Sequence, residues 1–129
     1  MEIRLDAIGI VSADIAASLR FYALLGVPVP DFDATEDHLE ATLPNGIRLM
    51  WDSLDLIKQL DKNWQSPVGQ RTGMAFHCGN AAGVDSVFSS VLAAGFKGSM
   101  EPFDAFWGQR YAQVVDPDGN KVDLFAPLG

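Results

Sequence analysis

The sequence predicts an α+β fold assembled from two copies of one βαβββ unit. Three observations carry that expectation: an internal repeat, two amphipathic helices that each follow a strand and end at a glycine, and stretches of polar–apolar alternation joined by turn residues. The repeat is visible where Pro44-Asn45-Gly46-Ile47-Arg48 lies over Pro117-Asp118-Gly119-Asn120-Lys121, an offset of 73 (117 minus 44). The helix-ending glycines Gly26 and Gly95 are 69 apart and the opening strands, taken at Ala7 and Gly73, 66 apart, so small insertions account for the drift. Self-similarity at a fixed offset marks a duplicated supersecondary unit. Two such units can close a sheet around a cavity that neither could bury alone.

At 129 residues the chain has the size of a single domain, with module 1 at about 1–60, a linker at about 61–71 and module 2 at about 72–129. Seventeen acidic against nine basic side chains give a net charge of -8, which disfavours nucleic acid and anionic membrane surfaces as partners. The one cysteine, Cys78, forms no internal disulfide and offers no cysteine cluster for zinc. No apolar run has the length of a membrane span, and Met1 to Asp6 lacks the apolar core of a secretory signal. A soluble, cytoplasmic protein is expected.

In chain order, residues 4–11 form an apolar strand ending at Ser12, which is placed to cap a helix opening with Ala13 and Asp14. Ile15, Leu19, Tyr22 and Leu25 make the apolar stripe of that helix, and Gly26 stands at its C-terminal cap. Val27-Pro28-Val29-Pro30 is read as a short edge segment, because prolines remove ladder donors. Asp31 to Glu36 is an acidic loop carrying Phe32. Two strands follow, His38 to Leu43 and Ile47 to Trp51, joined at Pro44-Asn45-Gly46. Ser53 to Leu60 reads as a short helix before the linker with Trp64, Pro67 and Gly69.

The pattern then restarts. Gly73 to Cys78 is a strand, and Asn80 caps a helix whose Val84, Val87, Phe88, Val91 and Leu92 share one stripe up to Gly95. A short segment at Phe96 to Met100 and a loop at Glu101 to Phe106 lead to a closing hairpin. Its strands, Gln109 to Val115 and Lys121 to Phe125, flank the turn residues Asp116-Pro117-Asp118-Gly119. Alternation sorts the faces: Leu39, Ala41, Leu43, Ala112 and Val114 meet the helices, which leaves His38, Glu40, Thr42, Gln109, Tyr111 and Gln113 on the opposite, inward face. Trp51 sides with Ile47 and Leu49 as core. Small residues at Ala7, Gly9, Gly73 and Ala75 are read either as room for a pocket or as close backbone packing.

Three stretches resemble the vicinal oxygen chelate superfamily, which includes glyoxalase, extradiol dioxygenases and bleomycin-binding proteins. They are Leu5-Asp6-Ala7-Ile8-Gly9-Ile10-Val11, then Ser18-Leu19-Arg20-Phe21-Tyr22 with Leu25-Gly26, and Asp116-Pro117-Asp118-Gly119-Asn120 with Asp123-Leu124-Phe125. Their order covers essentially the whole chain and implies the glyoxalase/bleomycin resistance fold. Gly46-Ile47-Arg48-Leu49, Trp51-Asp52, Trp64-Gln65 and Trp107-Gly108-Gln109-Arg110-Tyr111-Ala112 look most like the antibiotic-sequestering branch, among them mitomycin-binding resistance proteins. That likeness implies a homodimer in which aromatic side chains stack on a planar drug, with no metal and no other cofactor.

Metal-dependent members of the superfamily place His or Glu at four strand positions. Here the resemblance puts Ala7, Met50, Gly73 and Asp123 there. Alanine and glycine have no ligating atoms, a thioether is a poor partner for a hard divalent ion, and one carboxylate cannot hold such an ion against water. For His38 and His77 a hydrogen-bonded or exposed side chain is the plainer reading.

The expected ligand site comprises Phe32, His38, Glu40, Met50, Phe103, Trp107, Tyr111 and Gln113. Trp107 and Phe32 stack on a planar aromatic ligand while Glu40, His38, Tyr111 and Gln113 orient it; a cationic ligand gains more from the rings. The expected function is sequestration without catalysis, since no nucleophile with its base is evident. The alternative is a lyase, isomerase or oxygenase of the same fold, with Glu40 or Asp123 as general base and His38 or His77 nearby. A ligand-free structural dimer accounts for the fold but not for the loop aromatics.

Overall fold

The computed structural model describes residues 1–33 and 35–129 and has an α+β architecture. Two compact units divide the chain, Met1–Ser66 and Pro67–Gly129. The first contains β1 (Ala7–Ser12), α1 (Ile15–Leu24), β2 (His38–Thr42), β3 (Arg48–Ser53) and α2 (Leu54–Leu60). The second contains β4 (Met74–His77), α3 (Ala81–Ala93), β5 (Lys97–Asp104), β6 (Gln109–Val115) and β7 (Lys121–Pro127). The first sheet has the order β1-β3-β2 and the second β4-β7-β6-β5, and in each the opening strand runs parallel to the last one.

Strand pairing confirms the repeat residue by residue. In the first unit Gly9 pairs with Met50 and Met50 with Glu40; in the second Ala75 pairs with Asp123 and Asp123 with Gln113. The equivalent positions differ by 66 (75 minus 9), 73 (123 minus 50) and 73 (113 minus 40), the offsets visible in the sequence.

The two copies are not equal. The segment Val27-Pro28-Val29-Pro30 forms no strand, so β2 and β3 alone follow α1, and the expected edge segment is corrected to coil. Its donors are already spent: the Val27 N–H donates to Tyr22 O at 3.2 Å, the Val29 N–H to Val27 O at 2.8 Å, and the prolines have none.

The second copy keeps the extra strand and lengthens it. Glu101 to Asp104, expected in a loop, belongs to β5, which tolerates Pro102 because it is an edge strand with register shifts on both sides of Met100. The first strand also starts later than expected, at Ala7.

Local rules explain the helix ends. The cap of α1 is Asp14, whose carboxylate accepts from the Ala17 N–H at 3.1 Å, and not Ser12. Ser12 is the last residue of β1, paired with Ser53, and its buried hydroxyl has no hydrogen-bond partner among the described residues. Asn80 caps α3 as expected, accepting from the Gly83 N–H at 2.8 Å, and Ser53 caps α2.

Three hairpins close with one turn geometry. Leu43, Ala105 and Asp116 each donate their N–H to the carbonyl four residues on, at 2.8 Å, and accept from a glycine N–H three residues on, at 2.9–3.0 Å. Those glycines, Gly46, Gly108 and Gly119, have φ of 89–90°, a conformation that a side chain would strain. In the last turn the buried Asp116 carboxylate also accepts from the backbone of Asp118 and Asn120 at 3.0 and 2.9 Å.

Each unit has its own core. In the first, the ring of Tyr22 on α1 lies 5.9 Å from that of Trp51 on β3, with Phe21 and Leu49 also buried. In the second, Val84, Phe88 and Val91 of α3 pack on the sheet face made by Ala112, Val114, Val122 and Leu124. Full burial of each such aliphatic side chain contributes roughly 1.5–3 kcal/mol. Gly98 admits the Phe88 ring, since a Cβ there would lie 2.6 Å from it. No helix among the described residues is long and apolar enough to cross a membrane.

The cap assignment is directly testable. Asp14→Ala should lower stability by about 1 kcal/mol, the usual value of an N-cap. Ser12→Ala should leave it unchanged or raise it, because no hydrogen bond is lost. Denaturant unfolding of the two variants distinguishes the capping residues.

Candidate functional site

In the first unit, alternation along β2 and β3 buries Leu39, Ala41, Leu49 and Trp51 against α1 and turns His38, Glu40, Arg48, Met50 and Asp52 to the other face. There His38 lies between two carboxylates, with Nδ1 2.5 Å from Asp52 Oδ1 and Nε2 2.7 Å from Glu40 Oε2. Both neighbours are acceptors, which assigns a proton to each ring nitrogen and makes the ring an imidazolium. The hydrogen bond to Glu40, then that to Asp52, holds its pKa above the ordinary value. Glu40 also accepts from Arg48 Nη1, and together His38 and Arg48 hold its carboxyl below the usual range. Arg48 Nη2 reaches Asp6 Oδ2 at 2.7 Å, completing a chain of alternating charge from Asp6 to Asp52. The Met50 thioether lies 3.8 Å from Arg48 Nη1.

In the second unit the equivalent face is aromatic. His77, Phe125, Tyr111 and Phe103 form one row across β4, β7, β6 and β5, as neighbours in register. The His77 and Phe125 rings meet edge-to-face at 5.1 Å, and Phe103 and Tyr111 at 6.3 Å. Trp107, in the β5–β6 turn, adds to this row with its centroid 5.3 Å from Tyr111, 6.3 Å from Phe103 and 5.0 Å from Phe106. Its indole N–H donates to Gln109 Oε1 at 2.7 Å, so both hydrogen bonding and ring contacts orient it. The cluster is nevertheless open: Phe106 is 97% exposed, Trp107 49% and Phe103 37%.

Beside the rings, on the same face, runs a polar row. Asp123 accepts from the Tyr111 hydroxyl through Oδ2 and from Gln113 Nε2 through Oδ1 at 2.8 Å, and Ser99 Oγ donates to Gln113 Oε1 at 2.7 Å. Burial, then the Asp123 carboxylate, pushes the Tyr111 phenol up to about 12, so it remains a donor at neutral pH. His77 is committed as well, with Nδ1 accepting from the Gly79 N–H at 3.0 Å.

The eight residues singled out from the sequence thus divide between two units. His38, Glu40 and Met50 belong to the charged network of the first, and Phe103, Trp107, Tyr111 and Gln113 to the aromatic cluster of the second. Phe32 lies outside both, 37% exposed in the segment between α1 and β2. Phe103, expected in a loop, is a strand residue opposite Tyr111. Sequence reasoning missed Asp6, Arg48 and Asp52 as partners of the first network, and Phe125 as a member of the aromatic row. Placing Trp51 on the helix side already put Arg48 and Asp52 on the other, which was the available signal.

The residues at the superfamily's four metal positions do not fit a divalent ion. Ala7 and Gly73 carry no donor, Met50 offers only a thioether, and Asp123 is left as a single carboxylate. Among the described residues no three His, Cys, Asp or Glu side chains converge as ligands.

A duplicated strand–helix unit with one packed and one open sheet face defines a class of small α+β proteins. The chain belongs to the glyoxalase/bleomycin resistance protein/dioxygenase superfamily, whose family model matches residues 4–124. Its fold is similar to that of a family enzyme from Burkholderia phytofirmans PsJN, with a TM-score of 0.84 and 16% identity over 98% of this chain and 100% of that one. An Agrobacterium tumefaciens protein determined by solution NMR has a TM-score of 0.75 and 26% identity, covering 99% of this chain and 100% of the other. Lactoylglutathione lyase from Agrobacterium tumefaciens gives 0.69 and 16%, over 95% of this chain and 92% of that one. No curated protein matches the chain.

The clamped imidazolium has a measurable consequence. Because its folded pKa is raised, the stability it contributes is fully present below the ordinary value of about 6.5 and is lost as pH rises through the higher folded value. NMR titration of the His38 ring should give a midpoint above that of a free imidazole, and Glu40→Gln and Asp52→Asn should each lower it.

Proposed function

We propose that the protein binds and sequesters a planar aromatic, drug-like molecule without transforming it, as the antibiotic-sequestering branch of the superfamily does, and acts as a homodimer. The observation that carries this reading is the open ring cluster at the β5–β6 turn, where Phe106 and Trp107 stand 97% and 49% exposed beside Phe103 and Tyr111. An indole held by a hydrogen bond and three ring contacts loses little freedom when a flat molecule stacks on it, so more of the stacking energy appears as affinity.

The groups that a catalytic reading would use support binding instead. Glu40 and Asp123, the candidate bases, each accept two side-chain hydrogen bonds, and both nitrogens of His38 face carboxylates. For Glu40, the hydrogen bonds from His38 and Arg48 favour the charged carboxylate and weaken it as a base.

Calorimetric titration with a panel of planar antibiotics and aromatic metabolites tests the reading. Saturable binding is expected for some members, with Trp107→Ala weakening it roughly tenfold, the loss of about one stacked ring. Unaltered affinity in that variant would remove the stacking platform from the account. Ligand recovered chemically changed after incubation would favour a lyase, isomerase or oxygenase.

A further inference from the structure

The carboxylates of the charged network and of the aromatic cluster are managed differently. In the first, Asp6, Glu40 and Asp52 all pair with Arg48 or His38. On the helix side of the second unit, Arg110 holds both Asp85 and Asp104. Asp123, beside the aromatic row, has no such partner: among the described residues no Lys, Arg or His forms an ion pair with it. Lys121 precedes it by two residues on the same strand face, and Lys97 lies in the same row as Lys121 across Val115, yet neither reaches it. Its partners are a phenol and an amide, both neutral.

A half-buried carboxylate held by neutral donors has no cation beside it to offset its charge. It also keeps acceptor capacity, because two of its roughly four lone-pair sites are filled. One ring, Tyr111, separates it from Trp107: the phenol donates to Asp123 while its centroid lies 5.3 Å from the indole. Aromatic faces beside an uncompensated carboxylate recognise an organic cation, through ring quadrupoles and charge-assisted hydrogen bonds together.

We propose that Asp123, at a position the superfamily's enzymes give to a metal ligand, here selects the charge of an organic ligand. The molecule it takes is a planar aromatic bearing a protonated amine or amidine. The inference rests on the stacking reading: the ring system lies on Trp107 and its nitrogen donates to the free lone pairs of Asp123. The protein's net charge of -8 favours the approach of such a cation over long range.

Two dyes of nearly the same shape separate charge from stacking: 9-aminoacridine, a cation at pH 8, and acridine, which is neutral there. Fluorescence anisotropy titration of the intact protein should show 9-aminoacridine binding about tenfold more tightly, the order expected of one partly desolvated cation contact. Asp123→Asn should abolish the preference while acridine affinity stays within about twofold, and Asp123→Glu should retain it, which a merely structural role for the carboxylate would not produce. Circular dichroism confirms that both variants are folded. Equal affinities in the wild-type protein, or a preference that survives in Asp123→Asn, overturn the proposal. If acridine still binds and weakens in Trp107→Ala, the stacking reading stands without it. If neither dye binds, both readings fall.

Discussion

The parallel pairing of β3 with β1 and of β7 with β4 is the constraint on which the other features depend. Side chains alternate along a strand, so a slip of one residue would exchange every buried position for an open one. In β7 the present register buries Val122, Leu124 and Ala126 and opens Asp123 and Phe125; in β3 it buries Leu49 and Trp51 and opens Arg48, Met50 and Asp52. The cores under α1 and α3 and the chemistry on the opposite faces are therefore two results of one alignment. The turn glycines and the buried Asp116 hold the antiparallel registers of the same strands by closing each hairpin at a fixed residue count.

Duplication supplies two equivalent faces, and side-chain chemistry has made them different. His38 and Asp52 of the first unit correspond to Tyr111 and Phe125 of the second, each pair directly opposed across an antiparallel ladder. In one copy the pair is a clamped imidazolium and a carboxylate, in the other two rings. Similarly Glu40 and Met50 correspond to Gln113 and Asp123, which exchanges the strand bearing the acid. A charged network rigidifies its own face and leaves little capacity for a visitor, whereas open rings beside a carboxylate leave a great deal.

The fold was largely legible in the sequence because its determinants are local: offsets of 66 and 73, alternation in β2, β6 and β7, and a capping asparagine before α3. What escaped depends on competition for donors. Whether Val27 to Pro30 makes a strand turns on where the Val27 N–H is spent, and whether Ser12 or Asp14 caps α1 turns on where β1 ends. Part of the candidate site's geometry was legible for the same reason. Tyr111, Gln113 and Trp107 lie close along one strand and its turn, but the engagement of His38 by Asp52 and of Arg48 by Asp6 joins side chains 14 and 42 residues apart. Such pairings follow from three-dimensional register, which alternation indicates only as a face.

The contrast between two tryptophans gives the protein an optical property. Trp51 is fully buried and its indole N–H has no hydrogen-bond partner among the described residues, while Trp107 sits half in water beside the open rings. The third indole, Trp64, is part-exposed and would add to the light excited at the red edge of the band, so Trp64→Phe is the background in which the two remaining emissions separate. There one polypeptide carries one spectroscopic gauge in a buried core and another on the open ring cluster.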